Sequence, residues 1–181
     1  MKRLRNSASV IAIVVASAMF TTACEEPKVE AAIYETLQQC LKDINMVRSE
    51  CEKNYNAARQ QHASVAPKFA SKQECETEFG AARCEQAPQR SETGGSMFMP
   101  LMMGYMMGSV LGGRGFGNSQ PLYRTRTDPG TYRTADNKSA GRSTGRTQVA
   151  KSATSRPTSK SSTRSRGGFG SSGRRFGSAA T

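Results

Sequence analysis

Apolar residues are unevenly spread along the chain and fall into three zones. Val10 to Phe20 is an apolar run broken only by Ser17. From Tyr34 to Phe79 apolar and cysteine positions recur three or four apart, the spacing of one helical face. Met97 to Leu111 is again apolar and free of charge, with Pro100 near its start. After Asn118 the pattern dissolves into Ser, Thr, Gly and basic residues.

The middle zone contains an internal repeat. "YETLQQCLKDI" (Tyr34–Ile44) aligns with "FASKQECETEF" (Phe69–Phe79) at an offset of 35 residues. Tyr34 matches Phe69, Thr36 matches Ser71, Gln39 matches Glu74, Cys40 matches Cys75 and Ile44 matches Phe79. Thr36-x-x-Gln39 and Ser71-x-x-Glu74 are capping boxes. In each, the hydroxyl satisfies an orphan N–H and the amide or acid reaches back. Cys40 with Ile44, and Cys75 with Phe79, would share a helical face. Gly80 suits the end of the second helix. A third box, Ser49-x-x-Glu52, predicts the longest helix, about Glu50 to Ala63, stopped near Pro67. His62 falls in its last turn and reads as a solvated residue facing the helix dipole.

The third zone carries six of the nine Met. It is too short for a transmembrane helix, which needs about 20 apolar residues. Gly104, Gly108 and Gly112 form a glycine-zipper series at helical spacing, with Met102 and Met106 on the rest of the surface. That pattern predicts self-association into a homo-oligomer or contact with a membrane surface. The competing reading is that the segment completes the core of the preceding domain.

The N-terminus changes the setting. Lys2, Arg3 and Arg5 precede the first apolar run, and small residues lead to Cys24. This is the anatomy of a secretory signal peptide. "Thr-Thr-Ala-Cys" resembles a bacterial lipobox, which predicts lipidation of Cys24 with Thr21 in place of the usual Leu. Ordinary cleavage after Ala18 and an uncleaved anchor are the alternatives. An exported chain meets an oxidising compartment, so Cys40, Cys51, Cys75 and Cys84 read as two disulfides. The repeat favours Cys40–Cys51 with Cys75–Cys84. The nested pairing, Cys40–Cys84 with Cys51–Cys75, stays open. Glu25 in place of Asp after Cys24 favours the outer membrane over the inner.

Charge bears on partners. The chain has 181 residues and a net charge of +12. Thirteen Lys and Arg after Asn118 face only Asp128 and Asp136, which places +11 of that charge there. Mean hydropathy is −0.59. A region so polar predicts a disordered tail over 118–181. Its partners outside the cytoplasm would be anionic lipid, lipopolysaccharide or cell-wall polymer, and the export signal argues against nucleic acid. One His, no Cys-x-x-Cys and no Ser/His/Asp set leave little for an active site, metal site or cofactor. No enzyme and no cofactor are expected.

The expected architecture is a small α-helical, disulfide-stapled domain with room for short strands. It would comprise a signal peptide (1–23), a lipidated linker (24–32), the stapled domain (33–90), the Met/Gly-rich amphipathic segment (96–117) and the tail (118–181). "APKFASKQECETEFG", the following Cys84 and "QAP", then "MPLMMGYMMG" and "GGFG", resemble the YgiB-like proteins over roughly Tyr34 to Leu122. These are small bacterial proteins, many with a lipoprotein-type signal. The resemblance implies a location in the Gram-negative cell envelope and brings no established activity and no catalytic residues. The function expected is that of a non-enzymatic envelope lipoprotein. The alternative is an accessory subunit docked on an envelope enzyme or transporter through the Met/Gly-rich segment.

Overall fold

A computed structural model of the chain describes residues 26–91, 94–109, 116–159 and 163–164. Its architecture corrects the helical expectation: strands dominate, and three helices pack on them. In chain order the elements are β1 (Lys28–Tyr34), α1 (Leu37–Leu41), α2 (Arg48–Val65), β2 (Lys68–Phe69), α3 (Lys72–Phe79), β3 (Cys84–Arg90), β4 (Ser96–Pro100), β5 (Gly104–Ser109) and β6 (Phe116–Leu122). β7 (Tyr132–Arg133), β8 (Ser139–Gly141), β9 (Gly145–Ala150), a 3-10 turn (Lys151–Thr154) and β10 (Thr163–Arg164) follow.

One four-stranded sheet has the order β6-β5-β1-β9 and is antiparallel throughout. β1 lies inside it, with Ala31 opposite Gly108 on one side and Thr147 on the other. Its side chains alternate between two cores. Ala31 and Ile33 join Met106, Leu122, Tyr132, Ala140, Val149 and Ala153. Ala32 and Tyr34 join Cys40, Cys51, Ala58, Tyr105 and Met107 beneath α1 and α2. A strand covered on both faces must be apolar at successive positions, which explains the run "GYMMG". A second sheet, β10-β2-β4-β3, backs onto the third core, where Met97, Met99, Phe69, Phe79 and Tyr123 meet.

The described part of the Met/Gly-rich segment therefore forms β4, β5 and the start of β6, not a zipper helix. Gly104 has a different reason to be glycine: a Cβ there would lie 3.0 Å from the Tyr34 carbonyl oxygen and 3.4 Å from the Tyr132 ring. The disordered-tail expectation is corrected over 118–159, which supplies β7, β8, β9 and most of β6. Pairing with β1 and β5 satisfies the backbone of β6 and β9, strands whose composition alone gives no such signal. The linker expected over 24–32 is corrected too, since 28–32 belongs to β1.

The repeat is real as local structure. Thr36 and Ser71 each cap a helix, accepting from Gln39 N and Glu74 N at 3.2 Å. Gln39 reaches back to Glu35 N at 2.7 Å. A disulfide leaves each helix, Cys40–Cys51 and Cys75–Cys84. Gly80 ends α3 at φ +106°, where its N–H reaches Glu76 O. The third box is corrected: α2 starts earlier, capped at Val47 with no side-chain bond, so Ser49 lies inside the first turn. Ile44 is also corrected. α1 stops at Leu41, and Ile44 stands 96% exposed rather than on a buried helical face.

Candidate functional site

The described residues hold two chemically distinct places. The first is a buried polar cluster where α2 meets the second sheet. His62, in the last turn of α2, is buried rather than solvated, a correction with a clear cause. Tyr123, which follows β6, covers it, and its hydroxyl lies 3.0 Å from Nδ1. On the other side Nε2 is 3.2 Å from Glu85 Oε1 on β3. A carboxylate only accepts, so Nε2 carries the proton and the Tyr123 hydroxyl donates to Nδ1. Burial pushes the imidazole below its ordinary pKa, against the pull of Glu85, so the neutral ring is favoured. Burial also raises the Tyr123 phenol well above its usual value.

Lys68 on β2 lies beside this cluster, 1% exposed. Its ammonium donates to the carbonyls of Ala63 and Ala66, the orphan acceptors at the end of α2. Burial lowers its pKa to about 8. The Glu–His–Tyr order superficially suits proton transfer, but its phenol end is sealed in the core, and exposure rises from His62 to Glu85. The cluster ties α2, β3 and the segment after β6 together. Among the described residues no group of three or more His, Cys, Asp or Glu could hold a metal ion.

The second place is the outer edge of the first sheet. The Cys40–Cys51 disulfide closes a loop whose turn, 42–47, projects from the body. Asp43 organises it. Its Oδ2 accepts from the Tyr34 hydroxyl at 2.7 Å, and its Oδ1 accepts from Asn45 N at 2.9 Å and Asn45 Nδ2 at 3.2 Å. The Tyr34 bond, first among several, holds the Asp43 carboxyl below its ordinary range. Arg146 on β9 donates to Asn45 O at 3.3 Å. Met46 packs inward, while Ile44 and Val47 are 96% and 62% exposed. At the other end of β9, Lys151 N donates to Pro27 O at 2.9 Å, and Ser152 binds the Glu26 carboxylate through N and Oγ.

Basic residues of the former tail also have structural work. Arg124 lies 4.0 Å above the Tyr132 ring and 3.0 Å from Glu35, which also accepts from the Tyr132 hydroxyl at 2.6 Å. Arg133 and Arg142 share Asp128.

The residues singled out in the sequence fall as follows. Cys40, Cys51, Cys75 and Cys84 are joined in the local pairing. Gly104, Met106 and Gly108 are buried in β5, and Met102 is half-buried just before it. Cys24 and Gly112 lie outside the described residues, as do the Phe-Gly motifs around Phe169 and Phe176. Sequence reasoning missed Lys68, whose place in the short Pro-Lys-Phe stretch after α2 gave no sign of burial. It also missed the exposed loop. The signal available there was Asp43 followed by Asn45, a turn-forming pair that ends α1 early.

Comparison with known proteins adds the family. The model for "Protein of unknown function (DUF1190)" matches residues 28–179. A UPF0441 protein of Erwinia tasmaniensis is 36% identical over 177 residues, covering 90% of this chain and 79% of that protein. One from Serratia proteamaculans is 34% identical over 177 residues, with 90% and 80% covered. One from Yersinia pestis is 35% identical over 183 residues, with 90% and 79% covered. No solved structure matches. The matched span runs from the first residue of β1 past the last described strand, and the chain belongs to the DUF1190 family, whose function is not established.

Proposed function

We propose that this chain is a non-enzymatic lipoprotein of the bacterial cell envelope, anchored by lipidation of Cys24 after removal of residues 1–23. Its folded body associates with the membrane or with other anionic envelope material, such as lipopolysaccharide or cell-wall polymer. The observation that carries the reading is the pair of local disulfides, each tying a short helix to the residues that follow it. Bridges of this kind persist in oxidising compartments and are rare in the cytoplasm. The YgiB-like resemblance and the run into Cys24 favour the same place. The burial of His62 between Tyr123 and Glu85 favours a structural role for this ring. Outer-membrane sorting follows from Glu25 after the lipidated cysteine. No described helix is long and apolar enough to cross a membrane.

The accessory-subunit alternative loses the docking element it relied on. Its β5 strand lies inside the first sheet, with Met106 and Met107 0% exposed.

Metabolic labelling with a palmitate analogue tests the proposal. The wild-type chain should be labelled and should sediment with outer membranes. Cys24→Ser should carry no label. Equal labelling of the two removes the lipidation, and recovery of the unlabelled chain with reduced cysteines from the cytoplasm removes the envelope location.

A further inference from the structure

We propose that the β9 edge of the first sheet, together with loop 42–47, is a lipid-facing surface. It lies against an anionic bilayer with Ile44 and Val47 entering the headgroup–acyl boundary. The inference rests on the envelope reading above and names the surface that meets the membrane.

Ile44 and Val47 are the exposed large apolar side chains among the described residues. Their exposure is built, not loose. The disulfide closes the loop, Asp43 gathers three hydrogen bonds, Met46 N donates to Asp43 O at 3.0 Å, and Met46 itself packs beneath. A loop ordered in advance loses little freedom on binding, so its apolar tip is available to a partner at low entropic cost. In water alone the same side chains contribute nothing to the fold.

The neighbours say which partner. Lys42, Arg48 and Arg146 are exposed around the tip. Of the nearby acids, Asp43 stays ionised while accepting from Tyr34 and Asn45, Glu52 pairs with Arg48 at 3.6 Å, Glu26 is engaged by Ser152, and Glu50 lies in the first turn of α2. Glu30 on β1 is the exposed acid facing the same edge, at the register of Gln148. Apolar side chains flanked by Lys42 and Arg146 match the layering of an anionic bilayer, with phosphates outside and acyl chains within.

Position favours a bilayer over a soluble protein. Arg146, at one end of β9, holds the loop; Ala150, at the other, leads to Lys151 and Ser152, which hold Pro27 and Glu26. Four strand residues span about 13 Å. The segment leading back to Cys24 therefore leaves from the edge that carries Ile44, with Lys151 exposed beside it. An acyl chain on Cys24 and the apolar tip would meet one surface together.

The test uses the mature chain, 24–181, carrying Cys24→Ser, so that binding reports the protein surface and neither an acyl group nor the apolar run of residues 1–23. Vesicles of phosphatidylethanolamine and phosphatidylglycerol are the probe. The chain has no Trp, so Ile44→Trp places a single reporter at the tip, and Gln73→Trp on α3 places one in the other disulfide-stapled half. Emission from Ile44→Trp should shift to the blue on vesicles and be quenched by lipids brominated high on the acyl chain. Gln73→Trp should show neither effect. Ile44→Ser with Val47→Ser should weaken partitioning about tenfold or more, and Arg146→Gln about fivefold at low salt. Both disulfides should remain intact in each variant, because the altered side chains are exposed. Vesicle binding with the Ile44→Trp reporter still in water, or unchanged by the double Ser variant, overturns the surface while leaving membrane association in place. Failure of the Cys24→Ser chain to bind any vesicle also overturns it, and palmitate labelling then judges the anchor separately. Capture of Ile44→Trp by an acidic protein, with lipid ignored, replaces the bilayer with a protein partner.

Discussion

Replacing Lys68 with Met isolates the effect of a charge held in the core. In an unfolded chain the ammonium titrates near 10.5, and burial lowers this to about 8 in the fold. The gap corresponds to about 3 kcal/mol at about 1.4 kcal/mol per pH unit. At neutral pH the native state bears that cost, even after the donations to Ala63 O and Ala66 O. Between the two values the unfolded chain binds more protons than the folded one, so stability rises with pH. Lys68→Met removes the titration but leaves two helix-end carbonyls unpaired, which costs about 1–3 kcal/mol. Near pH 7 the variant and wild type should therefore lie close together. Near pH 10 the wild type should have gained about 2–3 kcal/mol relative to the variant. Burial raises the phenols of Tyr34, Tyr105 and Tyr132, which subtract stability at still higher pH, equally in both proteins. Urea unfolding of both chains at several pH values, in a Cys24→Ser background that removes the remaining thiol, measures the difference. Parallel pH dependence in wild type and variant would falsify the claim that Lys68 is charged and buried.

Three further outcomes follow from the same geometry. Gly104→Ala should lower stability by about 1–3 kcal/mol, because the Tyr34 carbonyl that the new methyl meets is backbone and cannot swing away; a change within experimental error would mean that β1 and β5 are spaced more widely. His62 has a lowered folded pKa, so its contribution is complete above about 6.5 and is lost as pH falls through the folded value. Wild type should thus lose stability on mild acidification where His62→Gln does not, and identical acid profiles would count against the buried ring. The loops closed by the two disulfides span separations of 11 and 9 residues, so removing either pair by double Ala substitution should cost a similar amount, about 3 kcal/mol from loop entropy; calorimetry that finds one pair dispensable would refute the shared role.

Local chemistry was legible in the sequence, and pairing at a distance was not. The caps at Thr36 and Ser71 involve bonds three residues long, so the residues themselves announce them. The disulfides close short loops and were readable for the same reason. The strand β5 was not, because an apolar run buried on both faces lacks the alternation that marks a half-exposed strand. Its glycines at four-residue spacing then imitated a helical stripe. β9, "GRTQVA", has too little apolar content to signal a strand, and forms because β1 offers it a partner more than a hundred residues earlier in the chain. His62 looked solvated because the residue that buries it, Tyr123, is remote in sequence.

The placement of β1 also sets an order of assembly. It is the first strand of the described fold, yet both its partners lie far downstream, Ala31 waiting for Gly108 and then for Thr147. Closing such distant pairs is slow compared with forming a helix or a short loop. As the chain is made, β1 therefore has both edges open until residues 104–109 have arrived, and one edge open until residues 145–150 follow. The two stapled helices need no such wait, since each cysteine meets its partner within a dozen residues. An agent that delays the last strand would leave a chain able to close both disulfides but with one edge of β1 bare, open to pairing with another copy of itself.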